Sequence, residues 1–295
     1  MDIHLLSVII PVYKQEKSIK QDLQRIYEVL SGTPYNFEII AVIDGIEIDG
    51  SMQKARQFKK PELKVYGYKS NKGKGQAVRF GMQKAKGDII TFIDSGGDIN
   101  PQGLIMLLEH MKWYNADIIV GSKAHPASKV NYPLNRRILS KGYYYFIKFL
   151  FGLRLRDTQT GIKAYKKEVL DNVLDKLVVK RFAFDIEILA VANYLGYTKI
   201  YDAPVDVKWD FSKTSIYGLF TDNGIWNFIH DTLAIWYRLK LIHYYNAGRK
   251  RTKVYDNDLK MYVNTGGMKD QRQVIIDFVN KVFGFIRLNP NRNNE

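Results

Sequence analysis

The first 121 residues alternate between short apolar runs and segments with helical spacing, and this alternation constrains the fold more than any other feature. The apolar runs occupy residues 6–12, 37–43, 63–68, 88–93 and 117–120. Segments with apolar residues three and four apart lie between them, at residues 18–30, 51–58, 75–85 and 104–113. Continuously apolar strands separated by helices predict a mostly parallel sheet covered on both faces, and therefore an α/β fold.

Acidic residues follow the strands of this predicted sheet. Glu16 comes after the first strand, Asp44 after the second, and Asp94 and Asp98 after the fourth. Ligands of parallel sheets bind beyond the carboxyl ends of the strands, so we expect these acids at one edge. A single aspartate there is usually a turn or helix cap. Several together would repel one another, which indicates a cation or a ligand rich in hydrogen-bond donors.

The charge balance favours anionic partners. Lys and Arg outnumber Asp and Glu by 45 to 30 in 295 residues, a formal net charge of +15. Nucleic acid, an anionic membrane or phosphorylated substrates all fit this surplus, and solubility alone is the plain alternative.

The chain contains no cysteine, which excludes disulfides and thiolate catalysis. No run of 18 uncharged apolar residues predicts a membrane span, and the first strand begins too early to follow a signal peptide, so a cytoplasmic protein is expected.

Residues 122–165 combine basic and aromatic side chains. The basic residues, with no acid before Asp157, are Lys123, Arg136, Arg137, Lys141, Lys148, Arg154 and Arg156. Residues 138–151 read as a helix rich in tyrosine and phenylalanine, with Lys141 and Lys148 on one face. An ordinary core helix and a helix in the bilayer interface are both compatible with this pattern, and the composition favours the second.

The remaining pattern predicts further helices and strands. A helix is expected at residues 183–195, a strand pair at 199–201 and 205–209, and an amphipathic helix at 226–237. The last of these leads into the basic run RKRTK at residues 249–253. Beyond residue 254 the pattern is weak, apart from a final amphipathic helix at 274–286.

Four segments of the first half resemble the opening motifs of inverting family 2 glycosyltransferases. They are residues 7–13 (SVIIPVY), 38–45 (EIIAVIDG), 71–77 (NKGKGQA) and 87–94 (GDIITFID). The second half resembles the dolichyl-phosphate and polyprenyl-phosphate hexosyltransferases through residues 157–165 (DTQTGIKAY), 182–187 (FAFDIE) and 203–205 (APV). The resemblance covers residues 5 to about 240, is closest to the glucosyl branch, and implies a single GT-A domain. The hydrophobic pattern adds C-terminal amphipathic helices to this domain.

The resemblance also implies which residues bind the nucleotide-sugar, a UDP- or GDP-hexose carrying glucose or mannose. The matching positions are Pro11, Tyr13, Glu16, Asp44, Gly73, Lys74, Gly75 and Asp94. Many members have two adjacent acids after the second strand, where this chain has Ile43 and Asp44. The glycines are expected to let backbone approach the nucleotide.

The metal motif departs from the family pattern. Members usually carry Asp-x-Asp, whereas Gly96 stands in place of the second acid here. Asp98 lies four residues after Asp94, where many relatives have a further polar ligand, so we expect Asp94 and Asp98 to share Mg²⁺ or Mn²⁺. Loss of metal binding, in a degraded enzyme, is the alternative.

The implied acceptor is a polyprenyl or dolichyl phosphate. Lys123, Arg136 and Ser140 match the family positions that grip its phosphate, and Lys163 and Lys213 are further candidates. Asp94, Asp98, Arg136 and Lys123 form the expected catalytic set. A phosphate oxygen needs no general base, so direct displacement would invert the anomeric centre; Asp185 is the fallback base for a hydroxyl acceptor.

Other functions are compatible with parts of the pattern. A transferase acting on a glycan or other hydroxyl remains open, as does a binding module, either a pseudoenzyme or an RNA-binding protein. The acids at one sheet edge argue against nucleic acid, and the absence of both a Gln-x-x-Arg-Trp motif and membrane spans argues against a processive polysaccharide synthase.

The expected organisation is a catalytic domain at 1–212, a membrane-interface helix and basic cluster at 213–253, and an extension at 254–295, in a protein peripheral to the cytoplasmic membrane face.

Overall fold

A computed structural model describes residues 2–130, 134–207 and 224–266. The strands are β1 (Leu5–Val12), β2 (Asn36–Asp44), β3 (Leu63–Tyr68), β4 (Ile89–Ile93), β5 (Ile118–Ser122), β6 (Lys129–Val130), β7 (Ile162–Lys166), β8 (Ile200–Pro204), β9 (Asp206–Val207), β10 (Lys253–Asp256) and β11 (Met261–Asn264). The helices are α1 (Ile19–Ser31), α2 (Ser51–Arg56), α3 (Lys74–Lys84), α4 (Gln102–Tyr114), α5 (Leu134–Phe151), α6 (Lys167–Val173), α7 (Phe184–Tyr194) and α8 (Gly224–Lys240).

Seven strands form the central sheet in the order β3-β2-β1-β4-β7-β5-β8. All neighbours are parallel except β7, which runs antiparallel to both β4 and β5. The mostly parallel α/β fold predicted from the alternation is confirmed. The carboxyl ends of β1, β2 and β4 lie side by side, which brings Asp44 and Asp94 to the same edge.

Two hydrophobic cores cover the two faces of the sheet. Helices α1, α2 and α4 pack on one face. Helices α3, α5, α6, α7 and α8, with the β10–β11 hairpin, contribute to the core on the other. Burial on both faces explains why the central strands are continuously apolar rather than alternating.

Strand β7 is the main element that the sequence pattern missed. Its residues Lys163 and Tyr165 are fully buried, as are Ile162 and Ala164 on the opposite face. Lys163, the second residue of this five-residue strand, breaks the apolar run that would have revealed it. The strands expected at 199–201 and 205–209 are present as β8 and β9 within the described residues, but they do not pair with each other: β8 pairs with β5, and β9 pairs with β6.

The aromatic helix α5 is partly core and partly surface. Ile147 and Leu150 are buried, whereas Tyr145 and Phe149 are 65% and 87% exposed. The Tyr143 ring contacts the ring of Phe228 on α8, with 5.2 Å between centroids. The core interpretation is confirmed for the buried face, and the bilayer interpretation stays a prediction for the exposed face.

Helix α8 is covered by protein over its second half. Leu233, Ile235 and Leu239 are buried in the core, and the helix packs on α7. That stretch of its apolar face is thus not available to a membrane. No helix in the described part of the chain is long and apolar enough to cross one.

The segment after residue 252 folds into the β10–β11 hairpin, where the sequence pattern was weak. The expected helix at 274–286 lies outside the described residues.

Candidate active site

Asp44 ends β2 and holds the loop that leads into α3. Its carboxylate accepts the backbone N–H of Lys72 at 2.7 Å and that of Gly73 at 2.9 Å. Burial raises the pKa of Asp44, and these two N–H groups oppose the shift by stabilising the charged form. The acid at this sheet edge is therefore compensated by backbone donors within the chain.

Gly73 and Gly75 allow this loop to pack tightly. A side chain at Gly73, where φ is 97°, would meet the carbonyl oxygen of Lys180 at 2.8 Å. One at Gly75 would meet the Cβ of Phe184 at 2.6 Å. These glycines therefore let the loop approach the start of α7 and the segment just before it, whether or not a nucleotide is bound.

Lys74 connects the loop to Asp94 at the end of β4. Its ammonium lies 2.8 Å from Asp94 Oδ2. Burial works against this charge, but the carboxylates of Asp94 and Asp185 outweigh it and raise the pKa of Lys74. Lys74 therefore remains charged and neutralises part of the acidic cluster that the sequence left without a counter-ion.

The other carboxylate oxygen of Asp94 is not used by the protein's described hydrogen bonds. Oδ1 is buried and has no hydrogen-bond partner among the described residues. The backbone N–H of Asp94 donates to the carbonyl of Gly161 at 2.8 Å, and a Cβ at Gly161 would collide with the Asp94 carboxylate. Glycine is thus required at position 161 for Asp94 to keep this position.

The loop from Asp94 to Asp98 is held by α1. The carboxylate of Asp22 accepts the backbone N–H of Gly96 at 2.9 Å, and the Ser95 hydroxyl donates to the carbonyl of Pro11 at 2.8 Å. Gly96 and Gly97 have φ of 104° and 79°, which favours glycine at both positions.

The expected metal pair is separated by this loop, with Asp94 at its start and Asp98 four residues on. Within residues 2–130, 134–207 and 224–266, no three His, Asp or Glu side chains form a metal-ligand cluster. Mg²⁺ commonly keeps waters and substrate phosphates in its coordination shell, so it binds through few carboxylates.

Residues of the expected nucleotide site also line the end of β1. Tyr13 is 42% exposed, and the Lys14 ammonium lies 5.3 Å from its ring centroid. Glu16 accepts the backbone N–H of Gly50 at 3.2 Å. These side chains follow the same sheet edge as Asp44.

Lys123 follows β5 and pairs with Asp157. Its ammonium lies 3.8 Å from Asp157 Oδ2, and its backbone N–H donates to the same oxygen at 3.2 Å. Burial would raise the pKa of Asp157, but the Lys123 charge and the Thr160 hydroxyl, which donates at 2.6 Å, lower it. The DTQTG motif thus orients Lys123.

Lys163 does not face an acceptor surface, which corrects its assignment as a phosphate ligand. Its side chain is fully buried, and its ammonium lies 2.6 Å from Asp185 Oδ1 and 2.7 Å from the carbonyl oxygen of Thr160. Burial lowers the pKa of Lys163 and raises that of Asp185. Asp185, only 2% exposed, is also not placed as a base for a hydroxyl acceptor.

The side chains of three acceptor candidates lie outside the described part of the structure. Arg136 and Ser140 belong to α5, but their side chains lie outside the described part of the structure. Lys213 also lies outside the described residues.

Sequence reasoning missed Asp22 and two acids of the C-terminal hairpin, Asp256 and Asp258. Asp22 lies on the apolar face of α1 with Ile19 and Ile26, and it is 4% exposed. An acid in an apolar stripe is a signal that could have found it. The sequence around Asp256 and Asp258 gives no sign of their role, because their partners Lys69 and Lys72 are more than 180 residues away.

Solved structures share this architecture. Glucosyl-3-phosphoglycerate synthase from Mycobacterium tuberculosis, in complex with Mn²⁺, UDP and glucosyl-3-phosphoglycerate, superposes with a TM-score of 0.61 at 16% identity, over 88% of this chain and 86% of that one. This likeness shows that the chain has the GT-A fold.

Sequence comparisons define the family. Residues 7–174 match the family described as Glycosyl transferase family 2. A Drosophila melanogaster protein named dolichyl-phosphate beta-glucosyltransferase is 31% identical over 253 residues, covering 79% of this chain and 74% of the relative. The Homo sapiens protein of the same name is 28% identical over 219 residues, covering 69% and 67%. The chain belongs to glycosyl transferase family 2.

Proposed function

We propose that the protein transfers glucose from a nucleotide-sugar to the phosphate of a dolichyl or other polyprenyl phosphate. The observation that carries the proposal is the 31% identity, over 79% of the chain, to a relative named for this reaction. The site residues from Asp44 through Lys74 to Asp94 lie within residues 7–174, which match the family.

The placement of Asp185 supports a phosphate acceptor over a hydroxyl. A hydroxyl must lose a proton to a base as it attacks, whereas a phosphate monoester is already ionised near neutral pH. Asp185 is the acid that the sequence offered as that base, and it is buried against Lys163 at 2.6 Å. A phosphate acceptor instead requires cations, and Lys123 supplies one beside Asp157.

A divalent cation, Mg²⁺ or Mn²⁺, is part of the proposal. The buried Oδ1 of Asp94, which lacks a partner among the described residues, fits a hard cation, and Asp98 is the second candidate ligand. The synthase of similar fold was crystallised with Mn²⁺ and UDP. When bound, such a cation offsets the negative charge that develops on the departing diphosphate.

Different residues would then bind the nucleotide-sugar and the acceptor phosphate. Asp44 and the loop before α3 shape the nucleotide side, while Lys74 holds Asp94 in place and adds positive charge near the leaving group. Lys123, with Arg136 and Ser140 of α5, would bind the acceptor phosphate. Direct attack by its oxygen on the anomeric carbon, opposite the departing diphosphate, inverts the anomeric centre.

The test is transfer of label into lipid. Purified protein is incubated with polyprenyl phosphate, divalent cation and a panel of radiolabelled UDP- and GDP-hexoses, and the mixture is extracted with organic solvent. We expect label from UDP-glucose in the organic phase, and none with Asp94→Asn. Label appearing only in water-soluble glycans would favour the hydroxyl-acceptor function, and no label with any donor would favour a binding module.

Arg136→Ala separates the acceptor from the donor. We expect a higher KM for polyprenyl phosphate with nucleotide binding nearly intact, because the charge is assigned to the acceptor. An equal loss of UDP affinity, measured by calorimetry, would contradict this assignment.

Peripheral attachment to the cytoplasmic membrane face completes the proposal. Tyr145 and Phe149 are exposed on α5, and residues 249–253 carry four cations, each contributing about 1 kcal/mol near an anionic surface. The protein should co-sediment with anionic liposomes and be partly released by salt. The double substitution Tyr145→Ser with Phe149→Ser should reduce binding without loss of folding, and full binding by that variant would refute this surface.

A further inference from the structure

The β10–β11 hairpin lies outside the segment that matches the family, yet it contacts the loop of residues 69–73 that leads into α3. Asp258, in the turn of the hairpin, accepts the backbone N–H of Lys69 at 2.7 Å and that of Ser70 at 3.1 Å. It also accepts the Ser70 hydroxyl at 2.8 Å. Asp256 pairs with the Lys72 ammonium at 2.8 Å.

The same loop is held from its other side by Asp44. The N–H groups of Lys72 and Gly73 donate to Asp44, while those of Lys69 and Ser70 donate to Asp258. Four backbone donors within five consecutive residues are thus fixed by two carboxylates from distant parts of the chain. The loop conformation that presents Lys74 to Asp94 depends on both.

The hairpin is itself tied to the body of the protein. Asn264 accepts the Tyr244 hydroxyl at 2.6 Å and donates to the carbonyl of Lys176 at 3.0 Å. Asp256 also accepts the N–H groups of Asp258 and Leu259, which shapes the turn. The two acids are therefore presented by a rigid element rather than by a loose tail.

Both acids are held in the charged form. Burial opposes ionisation, but the Lys72 ammonium and the turn N–H groups lower the pKa of Asp256, and the N–H groups of Lys69 and Ser70 lower that of Asp258. Charged acceptors make the stronger class of hydrogen bond, so these contacts constrain the loop well at neutral pH.

We propose that the β10–β11 hairpin, through Asp256 and Asp258, holds the 69–73 loop in the conformation that binds the nucleotide-sugar donor. Asp256 and Asp258 are then positioning residues of the donor site, and the inference rests on the proposed function. Without them the loop must be ordered when the donor binds, which weakens binding because the ordering cost is no longer met during folding. The acceptor side of the site contains neither residue and should be unaffected.

The test compares variants of the hairpin by calorimetry with UDP and by steady-state kinetics. Asp258→Ala removes three accepted hydrogen bonds, and we expect about a tenfold loss of UDP affinity and a matching rise in donor KM. The kcat and the acceptor KM should change little. Asp258→Asn keeps a side-chain carbonyl oxygen and should give an intermediate loss, and Asp256→Asn tests the Lys72 contact separately.

A matched control uses another contact of the same hairpin. Lys253 pairs with Asp175 at 3.8 Å, away from the loop, so Asp175→Ala removes a hairpin contact while donor KM stays at the wild-type value. Unchanged UDP affinity in folded Asp258→Asn and Asp256→Asn variants, with normal binding by the wild type, would overturn the inference alone. No nucleotide binding by the wild type would overturn the proposed function as well.

Discussion

The buried pair of Lys163 and Asp185 offers the sharpest test of how this site is built. Replacing Lys163 with Met keeps a similar side-chain volume but leaves the Asp185 carboxylate buried without its nearest counter-ion. Breaking a buried ion pair from one side typically costs about 3–5 kcal/mol. Lys74 also faces Asp185 and remains in the variant. We therefore expect a loss at the lower end of that range, about 3–4 kcal/mol.

This loss should appear as a fall in Tm of roughly 6–16 °C, since 1 kcal/mol shifts Tm by about 2–4 °C in proteins approaching this size. Part of the deficit should be recovered at lower pH, because protonation of Asp185 removes the unpaired charge. The double substitution Lys163→Met with Asp185→Val replaces the pair by apolar groups and should be less destabilised than Lys163→Met alone.

Denaturant unfolding followed by circular dichroism measures these differences, with donor and acceptor KM recorded on the same samples. If Lys163→Met changed the free energy of unfolding by less than about 1 kcal/mol and raised the acceptor KM, the buried-pair account would be refuted. The assignment of Lys163 to the acceptor phosphate would then stand.

Three further predictions follow from single contacts. Gly161→Ala should lower turnover by at least about 100-fold while the protein stays folded, because the new methyl group displaces the Asp94 carboxylate; near-normal kcat would contradict this. Burial raises the pKa of Asp202 from 3.8 to about 6, so the folded state binds the extra proton and stability should fall as pH rises from about 4 to 6. Asp202→Asn should then be more stable than the wild type at pH 8, by at most about 3 kcal/mol, and equal to it below pH 4, as judged by unfolding at each pH. Asp98→Asn should raise the metal concentration needed for half-maximal activity, and an unchanged metal titration would remove Asp98 from the site.

Much of the fold and part of the site could be predicted from local pattern. The strands that carry Asp44 and Asp94 are apolar runs buried on both faces, so the order of strands and helices in the first half could be read directly. The edge at which these acids meet follows from parallel pairing alone. Strand β7 could not be found in this way, because the charge of Lys163 interrupts its apolar run and is compensated by a residue 22 positions further on.

The local sequence pattern predicted the roles of individual charged residues least well. Lys163 and Lys123 looked alike in the sequence, as two lysines in a basic segment. One is fully buried against Asp185, and the other is partly exposed beside Asp157. The difference depends on which strand each residue occupies and which helix covers it, and neither is encoded within a few residues of the lysine.

The sequence by itself determined the family, the α/β alternation and the acids at the sheet edge, because these depend on the order of residues along single strands and loops. Only the tertiary structure decided how the charges are compensated. Lys74 and Lys163 meet their carboxylates across 20 and 22 positions of chain, and Asp258 meets a backbone donor 189 positions away. Electrostatic compensation is a property of distance in space, and hydrophobic periodicity is a property of distance along the chain. The β10–β11 hairpin is an example, because Asp256 and Asp258 contact the 69–73 loop only in the folded chain.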